Sequence, residues 1–486
     1  MNANLFKTTV AALALATLTF NSCKDKEETE EEYQFPYEKV TLTLEDGMVF
    51  TDIEKYRDAR FFSIEGKYYS NYDLYMGTSP DSCQESRLGD IKPFTKYYWY
   101  VVAHEPNKYD NTAQSEIRTF YYVTTPKITK VYNPEGDWAT ILKWEHNDYM
   151  KEATVTLTPD KDCQYDKTPI VVDAAQDSCY ISAGGEFNTD SQKYAVYHQW
   201  WDDSKAQYYE PVVYSFNVKF RGEIDGHSYS VTSDTVKYIF LDRAKYAADM
   251  QFNVYRMGQI GSRTWLLEDL RGNVKDDHGK DDFLESVLLT SPLGFKARAY
   301  YANVLEVEYK YSSVIPEGFH LASDDDWQDL EYTYGLEKND NRDYKTWIYN
   351  ESDRSSEFVY LRRYIDFSEE YNLKKDSISF VGQRNHLFYK MISDKEWIMP
   401  DSNDSSFEGL GALNIRPYGV VASHGAPKDT IAIGSAAAYL TSTFNYDDSY
   451  PKHIIRFFWG GNTGVARVWI YETYYNMYMF RCVKDE

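Results

Sequence analysis

From Glu38 to Thr125 apolar and polar residues alternate with a period of two, as in Val40-Thr41-Leu42-Thr43-Leu44, and Gly, Asn, Asp or Pro marks each reversal. That period suits a pleated strand with one buried face, and no amphipathic helix of useful length interrupts it. Composition points the same way: 46 Tyr, 25 Phe and 11 Trp make the chain 17% aromatic. Rings in this number favour β-structure and, secondarily, stacking surfaces. At 486 residues the chain is too long for one ordinary domain and is expected to hold two to four. No run in its body approaches the roughly 18 apolar residues of a membrane span. With 52 Lys and Arg against 76 Asp and Glu, the net charge is −24. An acidic surface repels phosphate backbones, so nucleic acid is excluded as an expected partner.

Residues 1–22 have the form of an export signal: a positive charge at Lys7, then an apolar stretch from Thr8 to Phe20 too short for a stable anchor. The run Phe20-Asn21-Ser22-Cys23 resembles the relaxed lipobox of bacterial lipoproteins, which implies a lipid on Cys23 and a membrane partner through it. Lys24-Asp25-Lys26-Glu27-Glu28-Thr29-Glu30-Glu31-Glu32 follows, a like-charge block with nothing to bury. Residues 23–37 are therefore expected to be an acidic disordered tether. Acidic stretches in this position resemble the surface-export signals of Bacteroidetes lipoproteins, which implies an outer-membrane protein facing outside the cell, with the periplasmic face as the alternative.

Four further cysteines, Cys83, Cys163, Cys179 and Cys482, are too few for a disulfide scaffold, and none has CxxC spacing. Cys163 and Cys179 close a short loop; a bond between them would contribute about 3 kcal/mol on the chain-entropy model.

Tyr72-Asp73-Leu74-Tyr75-Met76-Gly77-Thr78-Ser79-Pro80, followed by Ile91-Lys92-Pro93-Phe94-Thr95-Lys96-Tyr97-Tyr98-Trp99-Tyr100-Val101-Val102-Ala103, resembles a bacterial fibronectin type III module. In such a corner the Tyr97 hydroxyl would hydrogen-bond back to the chain while alternate residues of the next strand enter the core. Glu105-Pro106-Asn107, a tripeptide some lectins use for calcium, lacks companion ligands and is expected to be a turn. Residues 126–245 follow the pattern of a second immunoglobulin-like sandwich, with Trp144 as a core tryptophan and Val236 to Leu241 as a closing strand. Trp200 and Trp201 cannot both face one side of a strand, so the stretch from Tyr197 to Trp201 is a candidate stacking site, or else covers a contact between domains.

From about Met250 four pieces stand in order. They are Asn253-Val254-Tyr255 with Ile260-Gly261-Ser262-Arg263-Thr264-Trp265-Leu266-Leu267-Glu268-Asp269-Leu270; Ile315 to Trp327; Phe407 to Gly419 with Ala438 to Thr443; and Arg481-Cys482-Val483-Lys484. Together they resemble the Fibrobacter succinogenes major paralogous domain, which implies an α+β fold like that of C-type lectins. Ser323 and Asp326 form a capping-box pattern that opens a helix, with Asp324 and Asp325 at its positive end and Trp327, Leu330 and Tyr334 on its inward side. This accounts for the Asp cluster without a metal or acid/base role. Where the family has a cysteine this chain has Ile315, so Cys482 is expected to be unpaired, and Leu440 or Thr441 stands in place of a family tryptophan.

The expected architecture is multidomain and mainly β. A signal (1–22) and a tether (23–37) precede two immunoglobulin/fibronectin III-like β-sandwiches (38–125, 126–245) and an α+β C-type-lectin-like domain (250–486). No HExxH, GxSxG or GxxxxGK[ST] occurs, no cofactor or metal is called for, and formylglycine-type chemistry lacks its paired cysteines. The first expectation is a non-enzymatic surface-anchored binding or adhesion protein, with a glycan or an envelope protein as partner. Candidate ligand residues are Tyr446, Asp447, Asp448, Trp459, Asn462, Trp469 and Tyr471, besides Trp200 and Trp201; core packing or a solvated loop is the alternative for each. A structural envelope component and a glycan-active enzyme are the second and third readings.

Overall fold

The computed structural model describes residues 41–42, 45–51, 64–65, 71–85, 91–105, 108–173, 176–185, 192–197, 210–274, 286–301, 313–335, 378–381, 387–393, 396–397, 413–422, 429–431, 433–445, 452–460, 464–471 and 476–486. The structure is mainly β and divides into two compact units, Met1–Val123 and Thr124–Glu486.

In the first unit a six-stranded sheet runs Met48–Phe50, Arg118–Tyr122, Thr95–Glu105, Asn71–Gly77, Gln84–Glu85, with Lys108–Gln114 paired to Thr95–Glu105. A second sheet pairs Thr41–Leu42 with Ile64–Glu65. Along Thr95–Glu105 the alternate residues Tyr97, Trp99, Val101 and Ala103 are buried, as the period of two requires. The Tyr97 ring stacks on Phe120 at 5.3 Å, and its hydroxyl accepts from the Lys92 backbone N–H at 2.8 Å. The tyrosine corner read from the sequence is therefore present. Glu105 pairs with Lys108, a reversal at the expected turn, although residues 106–107 lie outside those described.

The second unit begins with two sheets. One has three strands, ordered Ser178–Ser182, Ala139–Trp144, Ile128–Tyr132. The other has five: Ile170–Asp173, Met150–Pro159, Tyr214–Ile224 and His227–Thr232 in order, with Val236–Tyr238 also paired to Tyr214–Ile224. Trp144, 3% exposed, meets Phe220 of the five-stranded sheet edge-on at 5.8 Å, so the expected core tryptophan lies between the sheets. The closing strand is shorter than the sequence suggested, ending at Tyr238. Beyond it Ile239 and Phe240 are buried and Leu241 makes a single bridge to Ala139.

From Tyr246 onward a five-stranded sheet is ordered Tyr246–Ala248, Val254–Ile260, Arg263–Leu266, Cys482–Lys484, Phe319–Leu321. Gly261 turns the hairpin between Val254–Ile260 and Arg263–Leu266 at φ +63°, and a Cβ there would lie 2.3 Å from the Thr333 hydroxyl, so only glycine fits. A nine-stranded sheet carries Ala436–Asn445 beside Lys452–Trp459 and Val465–Tyr471 at its centre. Helix α1 (Asp324–Thr333) and the short helix α2 (Leu387–Met391) complete the module.

Both faces of the nine-stranded sheet are covered. Ala436, Ala438 and Leu440 belong to one apolar cluster, and Ala437 and Tyr439 to another. Trp327 and Leu330 of α1 and Leu387, Phe388 and Met391 of α2 fill the second cluster, with Tyr334 packed against it as the helical spacing anticipated. Ile315 and Cys482 share the first cluster, and Cys482 is free, as expected.

Candidate functional site

Of the residues chosen from the sequence, Cys23, Trp200, Trp201, Tyr446, Asp447, Asp448 and Asn462 lie outside those described. Trp459, Trp469 and Tyr471 lie on central strands of the nine-stranded sheet, with Ala436, Ile454 and Lys452 as their respective backbone partners. Trp469 is thus about five positions from Trp459 in register, roughly 16 Å along the strand. Every residue from His453 to Phe458 is buried, so this strand has neighbours on both faces. Tyr197 also is core, 3% exposed with Trp138 edge-on at 5.8 Å. Its part in the stacking stretch is corrected: Tyr197 makes a single backbone bridge to Pro211, and its ring is packed inside.

The possible bond between Cys163 and Cys179, left open by the sequence, is not formed, and both thiols are free. Cys179 is buried on Ser178–Ser182, where burial pushes its thiol up to about 11, whereas Cys163 is half-buried beside the Tyr214 hydroxyl.

The Asp cluster does more than cap a helix. Ser323 Oγ accepts from the Asp326 N–H at 3.1 Å, and Asp326 accepts from the Ser323 N–H at 2.8 Å, which completes the capping box. Asp324 in addition takes 2.6 Å and 2.9 Å hydrogen bonds from Arg456 and Arg467, and Arg456 reaches Glu331 at 2.7 Å. Burial pushes the Asp324 carboxyl up, but hydrogen bonds from Arg467 and the charge of Arg456 outweigh it and hold the group at about 2. Asp326 meets Arg263 at 3.1 Å and His320 at 3.2 Å, and His320 is also 2.7 Å from Asp485. Burial again opposes, yet His320 and Ser323 hold Asp326 at about 2, while its hydrogen bond to Asp326 raises His320 to about 8. These carboxylates are committed to partners, which makes them framework rather than acid/base groups.

Three of the four pieces singled out in the last part of the sequence also meet in one place. Arg481 and Asp269, 0% and 1% exposed, pair at 2.8 Å, and Arg481 donates to the Leu266 carbonyl at 3.1 Å. The Arg481 guanidinium lies 5.6 Å from the Tyr439 ring centre, so three separate sequence pieces join through one cation. Beside them Arg416 binds Glu396 and covers the Phe295 ring. A narrow cleft lies there among Glu268, Asp269, Phe295, Asn414, Arg416 and Tyr418.

A pH profile follows from these groups. Burial holds the His453 imidazole down at about 4, so its contribution to stability falls as pH drops from 6.5 toward 4, when the unfolded chain binds the proton first. Asp324 and Asp326 lose their contributions from pH 3.8 toward 2. His320 acts in the opposite sense: its contribution is complete below pH 6.5 and is lost as pH rises through 8. Thermal unfolding of the second unit is expected to peak near pH 6.5, and His320→Asn should abolish the decline between pH 6.5 and 8. A profile that keeps this decline in the variant would remove His320 as its source.

An open feature lies where the second sandwich meets the final module. A groove of about 440 Å³ is lined by Tyr132, Tyr238, Met257 and Phe319 among others. Arg243 and Glu317 pair across it at 3.8 Å, and Lys484 and Glu135 at 3.4 Å. Its walls are fixed from beneath. The buried Asp242 accepts from the N–H groups of Gly136 and Ala244 at 2.8 and 2.9 Å. Asp249 accepts from Gln251 N–H, Asn253 N–H and the Tyr255 hydroxyl at 2.8, 3.0 and 2.9 Å. Sequence reasoning missed this groove. The charged run Asp242-Arg243-Ala244-Lys245 between modules was the one available signal.

No known family profile matches the chain, and no curated protein matches it. Among solved structures it is similar to the FN1–FN3 domains of chicken CNTN1, at 12% identity over 35% of this chain, with a TM-score of 0.16. That match spans 53% of the CNTN1 chain, about half its length. It is also similar to a two-domain fibronectin type III segment of chicken tenascin, at 13% identity over 35% of this chain and 84% of that one, with a TM-score of 0.19. The chicken interferon gamma receptor alpha chain matches at 9% identity over 36% of this chain and 89% of that one, with a TM-score of 0.20.

Proposed function

We propose that this chain is a lipid-anchored envelope protein of Bacteroidetes type, tethered through Cys23 and facing outside the cell, that binds a ligand without transforming it. The first sandwich acts as a spacer, and the second also forms one wall of the groove. The final module, lectin-like and related to the Fibrobacter succinogenes major paralogous domain, meets the ligand, for which a glycan is the proposed class. The observation that carries the reading is the contrast between the groove and the ionised groups. The groove offers half-buried rings and exposed charges, whereas the carboxylates of Asp324, Asp326, Asp269 and Asp249 are each held by partners inside the fold. Binding needs the first arrangement and acid/base chemistry needs free groups of the second kind.

The anchor is tested by fractionating cells that express the full chain. The wild-type chain is expected in the membrane fraction and accessible to protease added to intact cells. Cys23→Ala should move to the soluble fraction. Unchanged membrane association of the variant would overturn the lipid assignment, and protection from external protease would place the body on the periplasmic side.

A further inference from the structure

We propose that the groove between the second sandwich and the final module is a binding site for a neutral, hydroxyl-rich ligand, a short oligosaccharide. The inference rests on the binding function proposed above and assigns it to a place other than the late-chain aromatics. Four observations lead there.

The first is size: about 440 Å³ falls in the range of small-molecule clefts and can hold a few sugar units. The second is the lining. Tyr132, Tyr238 and Phe319 are half-buried; Lys130 over the Tyr132 ring at 5.0 Å and Phe252 against Tyr238 at 6.0 Å hold two of the rings, and their exposed parts suit the C–H faces of a pyranose. The third is charge. The groove's Arg243, Lys484, Glu135 and Glu317 form two mated pairs, so the site has no net charge with which to select an anion or a cation. Both pairs are accessible: Glu317 is 81% exposed and Glu135 is 69% exposed. Exposed pairs contribute little to stability and rearrange readily, and a carboxylate with one partner still has lone pairs for a sugar hydroxyl. The fourth is rigidity. The hydrogen bonds to Asp242 and Asp249 set the groove's walls before a ligand arrives, which lowers the ordering cost of weak multipoint binding.

The site also has an unusual property. Tyr132 and Glu135 belong to the sandwich, and Phe319, Glu317 and Lys484 to the final module. A bound sugar would therefore touch both.

The test is calorimetric titration of the full chain with cellohexaose, xylohexaose, maltohexaose and the hexamer of N-acetylglucosamine. Saturable binding of at least one hexamer is expected. Tyr132→Ala, which removes a ring, and Ala248→Trp, which fills the groove without removing one, should each weaken binding on the order of tenfold or more. Thermal unfolding confirms that both variants are folded. Binding of no hexamer below about 10 mM would overturn the proposal, as would unchanged affinity in both variants. Loss of sugar binding in Trp459→Ala alone would remove the groove but keep a glycan-binding protein. Capture of a protein partner in the absence of any hexamer binding would remove the groove and the glycan while leaving the broader binding function in place.

Discussion

Arg481→Met is expected to destabilise the second unit by about 3–5 kcal/mol, because it strands a buried carboxylate. Arg481 is 0% exposed and Asp269 is 1% exposed, so water cannot replace the lost partner. Burial already pushes the Asp269 carboxyl upward against the opposing charge of Arg481, and without that charge the group must take up a proton or draw water inward. The double variant Asp269→Leu/Arg481→Met should recover most of the loss, since two apolar groups in this place leave no unpaired charge. Calorimetric unfolding of the wild type, both single variants and the double completes the cycle. A single-variant cost below about 1 kcal/mol would show that the pair is not a keystone.

Trp327→Ala is the second large expected effect, about 3–5 kcal/mol from lost contacts and the cavity left behind. The indole is 0% exposed, with the rings of Trp265, Tyr439 and Phe458 centred 5.3, 5.8 and 6.1 Å away. It joins α1 to both sheets of the module, because Trp265 lies on Arg263–Leu266 and the other two on the nine-stranded sheet. Collapse around the gap is therefore restricted from three sides. Trp327→Phe should cost less than half as much. Equal costs for the two variants would mean that ring contact is not the source of stability.

What could be read from the sequence was what lies close along the chain. The Tyr97 corner closes on Lys92, and the Ser323 cap closes on Asp326, spans of 5 and 3 residues. Such patterns appear in any short window. The ion pairs were not legible for the opposite reason: Arg456 and Asp324 are 132 residues apart, and nothing local to either names the other. So the Asp cluster was read as a cap and a dipole partner, which is true of it but leaves out two arginines. The centre of the nine-stranded sheet illustrates a second limit. A strand buried on both faces, as from His453 to Phe458, shows no alternation, and a dense run of rings without alternation resembles a surface patch as much as a core. The groove needed three distant stretches, around residues 132–135, 238–248 and 317–319, to be brought together before it existed at all.

The strand Cys482–Lys484 lies between Arg263–Leu266 and Phe319–Leu321, pairing with both. Arg481 beside it reaches the Leu266 carbonyl across 215 residues of sequence. Until those few residues leave the ribosome, Phe319–Leu321 has no strand of this sheet to join, Arg263–Leu266 is paired on one side alone, and the module has no closed core. Closure is then a late, long-range event, the slow kind in folding. The strand that locks the module is thus made after both strands it joins, and the core stays open until it is in place.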